Sequence, residues 1–232
     1  MEKALKTLAL LVAVAVASVA QADTVNLVAS ADALLGEGGT ADKNFGASTE
    51  YSVQNRSGDY IPIIRFDLSG IAAGQTITNV VFRVEAKDGS NRGGVFDVYM
   101  FKTDTWTEGN KNNATADPGE VTWNSMSPTA TDPTHDLNSG GILASVSHTD
   151  AGVIDISSAA LTTAVQSEFA GDKLITFVLI GPTTSHDTAT LYSREKVGFT
   201  PPTLILTTVP EPATMSLIAL GGLAMLSRRR RG

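Results

Sequence analysis

Residues 174–180 read Leu-Ile-Thr-Phe-Val-Leu-Ile, so apolar side chains occur at both odd and even positions of this segment. Such a segment is typical of a central strand in a sheet that is covered on both faces. On either side of it, from residue 24 to residue 208, short β-rich segments alternate with clusters of Gly, Asn, Asp, Pro and Ser. This alternation predicts a domain built from many short strands.

The predicted strands are regularly spaced along the chain. In one of them Phe82 and Val84 alternate with charged residues, which directs the two apolar side chains towards the core. Short strands with almost no helix predict an all-β fold, a jelly-roll β-sandwich. The predicted strands cover residues 25–29, 51–55, 61–68, 77–85, 95–102, 153–156, 174–180, 188–193 and 203–207.

One short helix is predicted between two of the strands along the chain. Ser157 or Ser158 can cap its first turn, and Gly171 can end it. The polar, turn-rich segment 108–147 is interpreted as a long excursion from the sandwich, either a functional loop or a segment without fixed structure. The apolar face of the helix would consist of Leu161, Val165 and Phe169.

The chain ends in a short apolar segment between a proline-rich motif and a basic cluster. The apolar run, residues 215–226, would form a helix of only ~18 Å, against roughly 30 Å for a bilayer core. We therefore expect transient membrane insertion, with the basic end on the cytoplasmic side. An ordinary membrane helix with stop-transfer arginines is the alternative. The motif is Pro210-Glu211-Pro212, and the basic cluster is Arg228, Arg229, Arg230 and Arg231.

This arrangement resembles the PEP-CTERM sorting signal of Gram-negative bacteria over residues 209–232. The resemblance implies recognition by an exosortase and removal of the tail near Pro210, Glu211 and Pro212. It also implies release to the cell surface or into exopolysaccharide.

The opposite end predicts a signal peptide over residues 1–22. Two lysines precede an unbroken apolar stretch, and Ala20 and Ala22 supply small residues at the two positions that signal peptidase reads. An uncleaved membrane anchor is the alternative. Both ends are thus interpreted as processing segments, and residues 23–208 as a single β-sandwich domain.

Charge and cysteine content exclude several classes of function. The two end segments carry six of the 17 basic and two of the 24 acidic residues, so the remainder holds 11 against 22, a formal net charge of −11. Such an acidic domain repels phosphate backbones, which argues against nucleic acid as a partner. The chain has no cysteine, and its histidines, 135, 148 and 186, show no metal-ligand spacing.

Eight short motifs follow one another along residues 24–208. They are Asp32-Ala33, Asn44-Phe45-Gly46, Arg65-Phe66-Asp67-Leu68-Ser69, Trp106-Thr107-Glu108, Val121-Thr122-Trp123-Asn124, Ile154-Asp155-Ile156, Tyr192-Ser193-Arg194-Glu195 and Pro202-Thr203-Leu204. Together they resemble DNRLRE-type domains, which are related to carbohydrate-binding modules found beside alginate lyases. The asparagine-rich segment 109–119 departs from the pattern. The resemblance implies a jelly-roll fold and, in some members, binding of acidic polysaccharide.

No catalytic motif is found. The sequence lacks a Gly-x-Ser-x-Gly elbow, a His-Glu-x-x-His helix and a phosphate-binding glycine loop. Asp67, Glu108 and Glu120 could form a glycosidase pair, but an acidic domain brings carboxylates together by chance. We therefore predict that the protein is not an enzyme.

A carbohydrate site can be predicted from outward-facing basic and aromatic residues. Arginine and lysine bind the carboxylates of acidic sugars, and aromatic faces stack on sugar rings. If their strands neighbour each other in one sheet, these side chains form a single strip; alternatively, each basic residue pairs with a nearby carboxylate. Trp106 and Trp123 would form a stacking platform or, alternatively, pack under the long loop. The strip consists of Arg65, Arg83, Lys87, Tyr99, Tyr192 and Arg194.

A structural calcium ion is a further possibility, because calcium is bound by six to eight oxygen atoms. Asp32, Asp42 and Asn44 lie in one oxygen-rich loop, and no other cofactor is predicted. The overall hypothesis is an exported, non-catalytic module that binds acidic polysaccharide, processed by signal peptidase and exosortase. The alternatives are a structural surface or biofilm protein without glycan specificity, and a polysaccharide-degrading enzyme.

Overall fold

The computed structural model describes residues 21–53, 60–87, 95–126, 137, 141–148, 150–181 and 189–211, and it confirms the predicted all-β sandwich. Two antiparallel sheets pack on a shared apolar cluster. The strands are β1 (Asp23–Val28), β2 (Ala31–Gly36), β3 (Lys43–Asn44), β4 (Glu50–Val53), β5 (Tyr60–Asp67), β6 (Gln75–Ala86), β7 (Val95–Met100), β8 (Ala114–Thr115), β9 (Ala144–Ser147), β10 (Gly152–Ile156), β11 (Leu174–Ile180), β12 (Ala189–Tyr192) and β13 (Thr203–Pro210).

Each large sheet is named by a central strand. The β6 sheet has the order β1-β13-β6-β12-β4, and β10 also pairs with β6. The β11 sheet has the order β2-β5-β11-β7-β9, and β3 pairs with β8 apart from both sheets. Neighbouring strands are therefore often far apart in sequence, as expected of jelly-roll sandwiches.

Strand β11 occupies the centre of its sheet, as its sequence predicts. It pairs antiparallel with β5 and with β7, and all its residues after Leu174 are buried. The ring centroid of Phe177 lies 5.8 Å from that of Phe66 in β5 and 5.1 Å from that of Phe82 in β6. These three rings join the two sheets at the centre of the core.

The other face of the β11 sheet is covered by the loop that follows β7. A second apolar cluster forms between outward-facing side chains of β2, β5 and β11 and side chains of this loop. Trp106, Val121 and Trp123 are buried there. Residues 101–126 of the sheet-covering loop therefore pack onto the sandwich, and part of the predicted excursion has a fixed structure.

The predicted helix is present as α2 (Ala159–Ala170). Ser158 caps it by accepting a hydrogen bond from the amide of Leu161 at 2.9 Å, and Gly171 follows its last turn. A four-residue helix, α1 (Trp123–Met126), was not predicted, because it is too short to show helical periodicity. Among the described residues, no helix is long and apolar enough to cross a membrane.

The last strand reaches further than predicted, to Pro210 instead of residue 207. A register shift follows Thr207, after which β13 continues along β6 and Pro210 lies opposite Gln75. At its other edge β13 pairs with β1, so Asp23 lies opposite Thr208. All described strands and both apolar clusters lie within residues 23–210, so this segment holds a complete core of its own.

Candidate functional site

Arg65 fastens the sheet-covering loop to the β11 sheet. Its Nη1 donates hydrogen bonds to the backbone oxygens of Asp104 and Trp106, at 2.9 and 2.7 Å, and its guanidinium lies 4.8 Å from the centre of the Trp106 ring. The indole Nε1 of Trp106 donates to Thr176 Oγ1 at 3.1 Å. Because Trp106 and Trp123 are only 8% and 5% exposed, packing under the loop is confirmed for both, and neither forms a stacking platform.

An open cleft of about 530 Å³ lies beside this anchor, between the start of β2 and the sheet-covering loop. Hydroxyl, carboxamide, carboxylate and guanidinium groups line it, and its residues come from three separate parts of the chain. A polar cleft of this kind offers hydrogen-bond donors and acceptors to a ligand rich in hydroxyl groups. The polar residues that line the cleft are Ser30, Arg65, Thr107, Glu108, Asn110 and Glu120.

Glu108 connects the cleft to a network of charged residues. Arg194 donates from Nε to Glu108 Oε1 at 3.0 Å and from Nη2 to Oε2. The amide of Asp32 donates to Glu108 Oε1 at 2.7 Å, and Asp32 Oδ2 accepts from the amide of Arg194 at 3.0 Å. The hydrogen bonds to Glu108 raise the pKa of Arg194. The network thus joins β2, the sheet-covering loop and the segment after β12.

Asp32 is a buried acid at the centre of this network, only 1% exposed. Burial, and then the negative charge of Glu195, raise the pKa of Asp32 to about 8. Tyr51 is equally buried, and burial together with the nearby Asp32 raises the pKa of its hydroxyl well above the usual value. Although the two groups are neighbours, neither Asp32 Oδ1 nor the Tyr51 hydroxyl has a hydrogen-bond partner within the described structure.

The predicted calcium loop does not bring its three residues together. Asp42 is 59% exposed at its side chain and lies 3.6 Å from the Lys43 ammonium. Asn44 is buried, but its Nδ2 donates to two backbone carbonyls and its Oδ1 accepts from two backbone amides. Its carboxamide is therefore occupied by the backbone. Of the three, Asp32 alone shares a carboxylate cluster, and its companions there are Glu108 and Glu195.

The predicted basic and aromatic strip does not exist as one surface, because its residues are divided between the sheets. Sequence alternation assigns a side chain to a face but does not say which strands share a sheet. Arg65 and Tyr99 belong to the β11 sheet, whereas Arg83, Lys87, Tyr192 and Arg194 lie in the β6 sheet or directly after its strands.

Ion pairing accounts for the basic residues on the side of the β6 sheet. Arg83 donates hydrogen bonds to both carboxylate oxygens of Asp155, which lies in the neighbouring strand β10, at 2.6 and 2.7 Å. The ammonium of Lys87 lies 2.6 Å from Glu50. The alternative of local ion pairs is thus confirmed for Arg83 and Lys87, and Arg194 pairs with Glu108 as described above.

Neither tyrosine of the predicted strip presents a free face. Tyr99 is partly buried and packs against the second apolar cluster. Tyr192 is 7% exposed, and its ring centroid lies 4.0 Å from that of Phe199.

The carboxylates considered for catalysis accept hydrogen bonds that hold the backbone. Asp67 accepts from the amide of Ser69 at 2.8 Å. Glu120 accepts from two loop amides, at 2.8 and 3.3 Å. Glu108 accepts from the Asp32 amide and from Arg194. Each of these acids therefore has a structural role in this fold.

The predicted processing residues are only partly described. Ala22 directly precedes β1, Pro210 ends β13, and the amide of Glu211 donates to the backbone oxygen of Gly74 at 2.8 Å. The other processing residues, Ala20, Pro212, Arg228, Arg229, Arg230 and Arg231, lie outside the described residues.

Sequence reasoning missed two residues of the charged network, Glu195 and Tyr51. Glu195 belongs to the motif that starts at Tyr192, Glu108 to the motif that starts at Trp106, and Asp32 opens the first motif. Grouping the acids of these motifs could have found the cluster. Tyr51 lies in none of the motifs, and nothing in the sequence marks it.

Comparison with known proteins identifies two regions. The model of carbohydrate-binding module family 96 matches residues 23–208. The model of the PEP-CTERM protein-sorting motif matches residues 208–231. No curated protein matches the chain.

Proposed function

The chain belongs to carbohydrate-binding module family 96 and ends in a PEP-CTERM sorting motif, and we propose that it binds an acidic polysaccharide in the cleft beside Arg65. The two matches make it an exported carbohydrate-binding protein. The acidic class of the ligand and the position of the binding site are the content of the proposal.

The observation that carries this proposal is that Arg65 forms no close ion pair with a carboxylate of the described residues. Arg65 lines the cleft and gives its Nη1 hydrogen bonds to backbone oxygens. Within the described part of the chain it has no carboxylate partner within 4.0 Å, unlike Arg83 and Arg194. Asp67 and Asp104 interact with Arg65 only at longer range. A uronate carboxylate in the cleft would supply a direct ion pair, and charge-assisted pairs of this kind are the stronger class of hydrogen bond.

The rest of the cleft favours recognition through polar groups. The Trp106 ring lies under Arg65 and is only 8% exposed, so a sugar would not stack on it. Ser30, Thr107 and Asn110 offer hydroxyl and carboxamide groups to sugar hydroxyls. We therefore expect binding that weakens as salt is added, because a charge pair at an open cleft is screened.

Affinity gels test the proposal directly. Residues 23–211 would be run through gels that contain alginate or polygalacturonate, and through gels that contain a neutral glucan. We expect retardation in the acidic gels, which Arg65→Gln abolishes and Arg65→Lys partly keeps. Arg83→Gln is the matched control, because it removes one arginine from the other sheet and should migrate like the wild type.

Each other outcome has a clear meaning. Loss of retardation in Arg83→Gln but not in Arg65→Gln would move the site to the β6 sheet. Unchanged mobility of the wild type on every glycan would overturn the proposal and favour a structural surface protein. Release of reducing or unsaturated ends from a polymer would establish an enzyme. Near-ultraviolet circular dichroism would check that the Arg65 variants keep the packing of Trp106.

A further inference from the structure

Three acidic side chains from distant parts of the chain meet behind the cleft. Asp32 lies in β2, Glu108 in the sheet-covering loop and Glu195 after β12. Each brings one carboxylate oxygen to a place where these atoms all lie within 4.8 Å of one another. Like charges at such distances repel, so the cluster needs positive charge or protons for stability.

Buried polar atoms without partners point into the same place. Asp32 is only 1% exposed, and its Oδ1 has no hydrogen bond within the described structure. The hydroxyl of Tyr51, which neighbours Asp32, is equally buried and also unsatisfied, as is Glu195 Oε2. Leaving a buried polar atom unsatisfied is costly. Because Asp32 interacts with both Tyr51 and Glu195, the three atoms are neighbours, and together they indicate an additional binding partner.

The charges of the cluster define that partner. Arg194 is the basic residue that pairs with the cluster, through Glu108 and Glu195. Three carboxylates against one guanidinium leave two negative charges uncompensated when all groups are ionised. A divalent cation would neutralise them.

We propose that Asp32, Glu108 and Glu195 bind a calcium ion. The ligand atoms are oxygens only, which suits a hard cation. Calcium takes oxygen ligands at about 2.3–2.6 Å, so two ligands on opposite sides of one ion lie up to about 5 Å apart. Magnesium holds its ligands at about 2.0–2.1 Å and requires a tighter group.

A second acidic cluster is more exposed and provides a control. Asp104, Glu168 and Asp172 also bring carboxylate oxygens within 4.8 Å of one another. None of these three residues is fully buried, and Asp172 is exposed. Asp104 Oδ1 is also buried without a partner, but water can reach this group through the exposed Asp172.

Calorimetric titration of residues 23–211 with calcium chloride, after removal of metal with EDTA, tests the site. We expect a dissociation constant in the range of extracellular modules, about 10⁻⁴–10⁻³ M, and a melting temperature that rises with calcium, because the ion binds only the folded state. Glu195→Gln should weaken binding at least about tenfold, because it removes one charged ligand. Asp32→Asn should do the same, and Glu168→Gln should bind like the wild type.

The variants keep the proposal falsifiable. Glu195 is 23% exposed at its side chain, so Glu195→Gln is decisive even if the buried Asp32→Asn fails to fold. The absence of calcium binding by the wild type would overturn the proposal, and so would wild-type affinity in Glu195→Gln. Equal loss in Glu168→Gln would instead place the ion in the second cluster. Glycan retardation through Arg65 is scored separately and does not enter this result.

Discussion

Arg194 and Glu108 form a two-bond ion pair between residues 86 positions apart in the chain. The pair connects the segment after β12 to the loop that covers the β11 sheet. Glu108 lines the cleft on one side and meets Asp32 and Glu195 on the other. Replacing this carboxylate would therefore affect both the binding of a ligand in the cleft and the binding of an ion in the cluster.

Replacing Arg194 should change protein stability and calcium binding in opposite directions. Arg194→Gln removes charge-assisted hydrogen bonds, and we expect it to lower the free energy of unfolding in EDTA by about 1.5–3 kcal/mol. It also removes a positive charge beside the proposed ion, so calcium should bind more tightly and restore part of the stability. Urea unfolding with and without calcium measures both effects. Lys111→Gln, at an exposed pair with Asp117, is the control; weaker calcium binding by Arg194→Gln would contradict the prediction.

The three-ring contact between the sheets should dominate the stability of the core. Phe177 is fully buried, and Phe177→Ala should reduce the free energy of unfolding by about 3–5 kcal/mol. Val197→Ala, at a side chain that is 93% exposed, should change it by less than about 0.5 kcal/mol. Chemical denaturation of both variants provides the measurement, and a small effect of Phe177→Ala would contradict this account of the core.

A glycine in the sheet-covering loop should be indispensable for the cleft. Gly109 has φ +80°, and an added Cβ would lie 2.5 Å from the carboxamide of Asn44, which four backbone hydrogen bonds hold in place. Gly109→Ala should therefore destabilise the protein more than Gly141→Ala, which has a similar φ of +73° but meets no atom within 4 Å. The strain common to both is about 1–2 kcal/mol. The two variants would be compared by thermal unfolding and by gel retardation. Equal behaviour would show that the Asn44 side chain can move aside.

The pair of Arg83 and Asp155 should add an acid-sensitive component to stability. Hydrogen bonding from Arg83 lowers the pKa of Asp155 in the folded protein. A lowered folded pKa gives stability that is present above the unfolded value, about 3.9, and is lost as the pH falls through the folded value. Arg83→Gln should flatten the decline of stability below about pH 4. Urea midpoints at a series of pH values would test this, and an unchanged slope would mean that the pair contributes nothing.

The sorting motif should depend on its acidic residue. Glu211→Ala should leave the protein in the membrane fraction with its tail uncut, because the resemblance places processing near Pro210, Glu211 and Pro212. Glu37→Ala, in a surface turn before β3, is the control and should be processed normally. Mass spectrometry of the C-terminus distinguishes the outcomes, and normal release of Glu211→Ala would count against exosortase recognition.

The parts of the fold that sequence predicts are those with a strong local pattern. β11 is apolar at both parities, β6 alternates, and α2 has a cap and a matching apolar spacing. β2 has none of these signals, since Ala31-Asp32-Ala33 contains small residues and an acid that are uncommon in strands. It forms a strand because it pairs with β5 over six positions. Pairing with a strand that is distant in sequence therefore determines the conformation of β2.

The candidate site was less predictable, because it is assembled by pairing between distant strands. β4 pairs with β12, which places Tyr51 opposite Leu191 and near the segment that carries Glu195. β2 brings Asp32 to the same place from another sheet. A sequence pattern gives the face of each strand but not its neighbour. For the same reason Arg65 was predicted in a strip with Arg83, although they belong to different sheets.

Because Asp23 and Thr208 lie opposite each other at the edge of one sheet, the two ends of the domain leave the sandwich side by side, about 5 Å apart. Only a few residues separate this corner from the apolar run at 215–226, a reach of roughly 15 Å in extended chain. If both end segments enter the membrane as the sequence predicts, the domain would be attached to the bilayer at this one corner until they are removed. The two predicted cleavages, of the leader and of the tail, would then occur at neighbouring points.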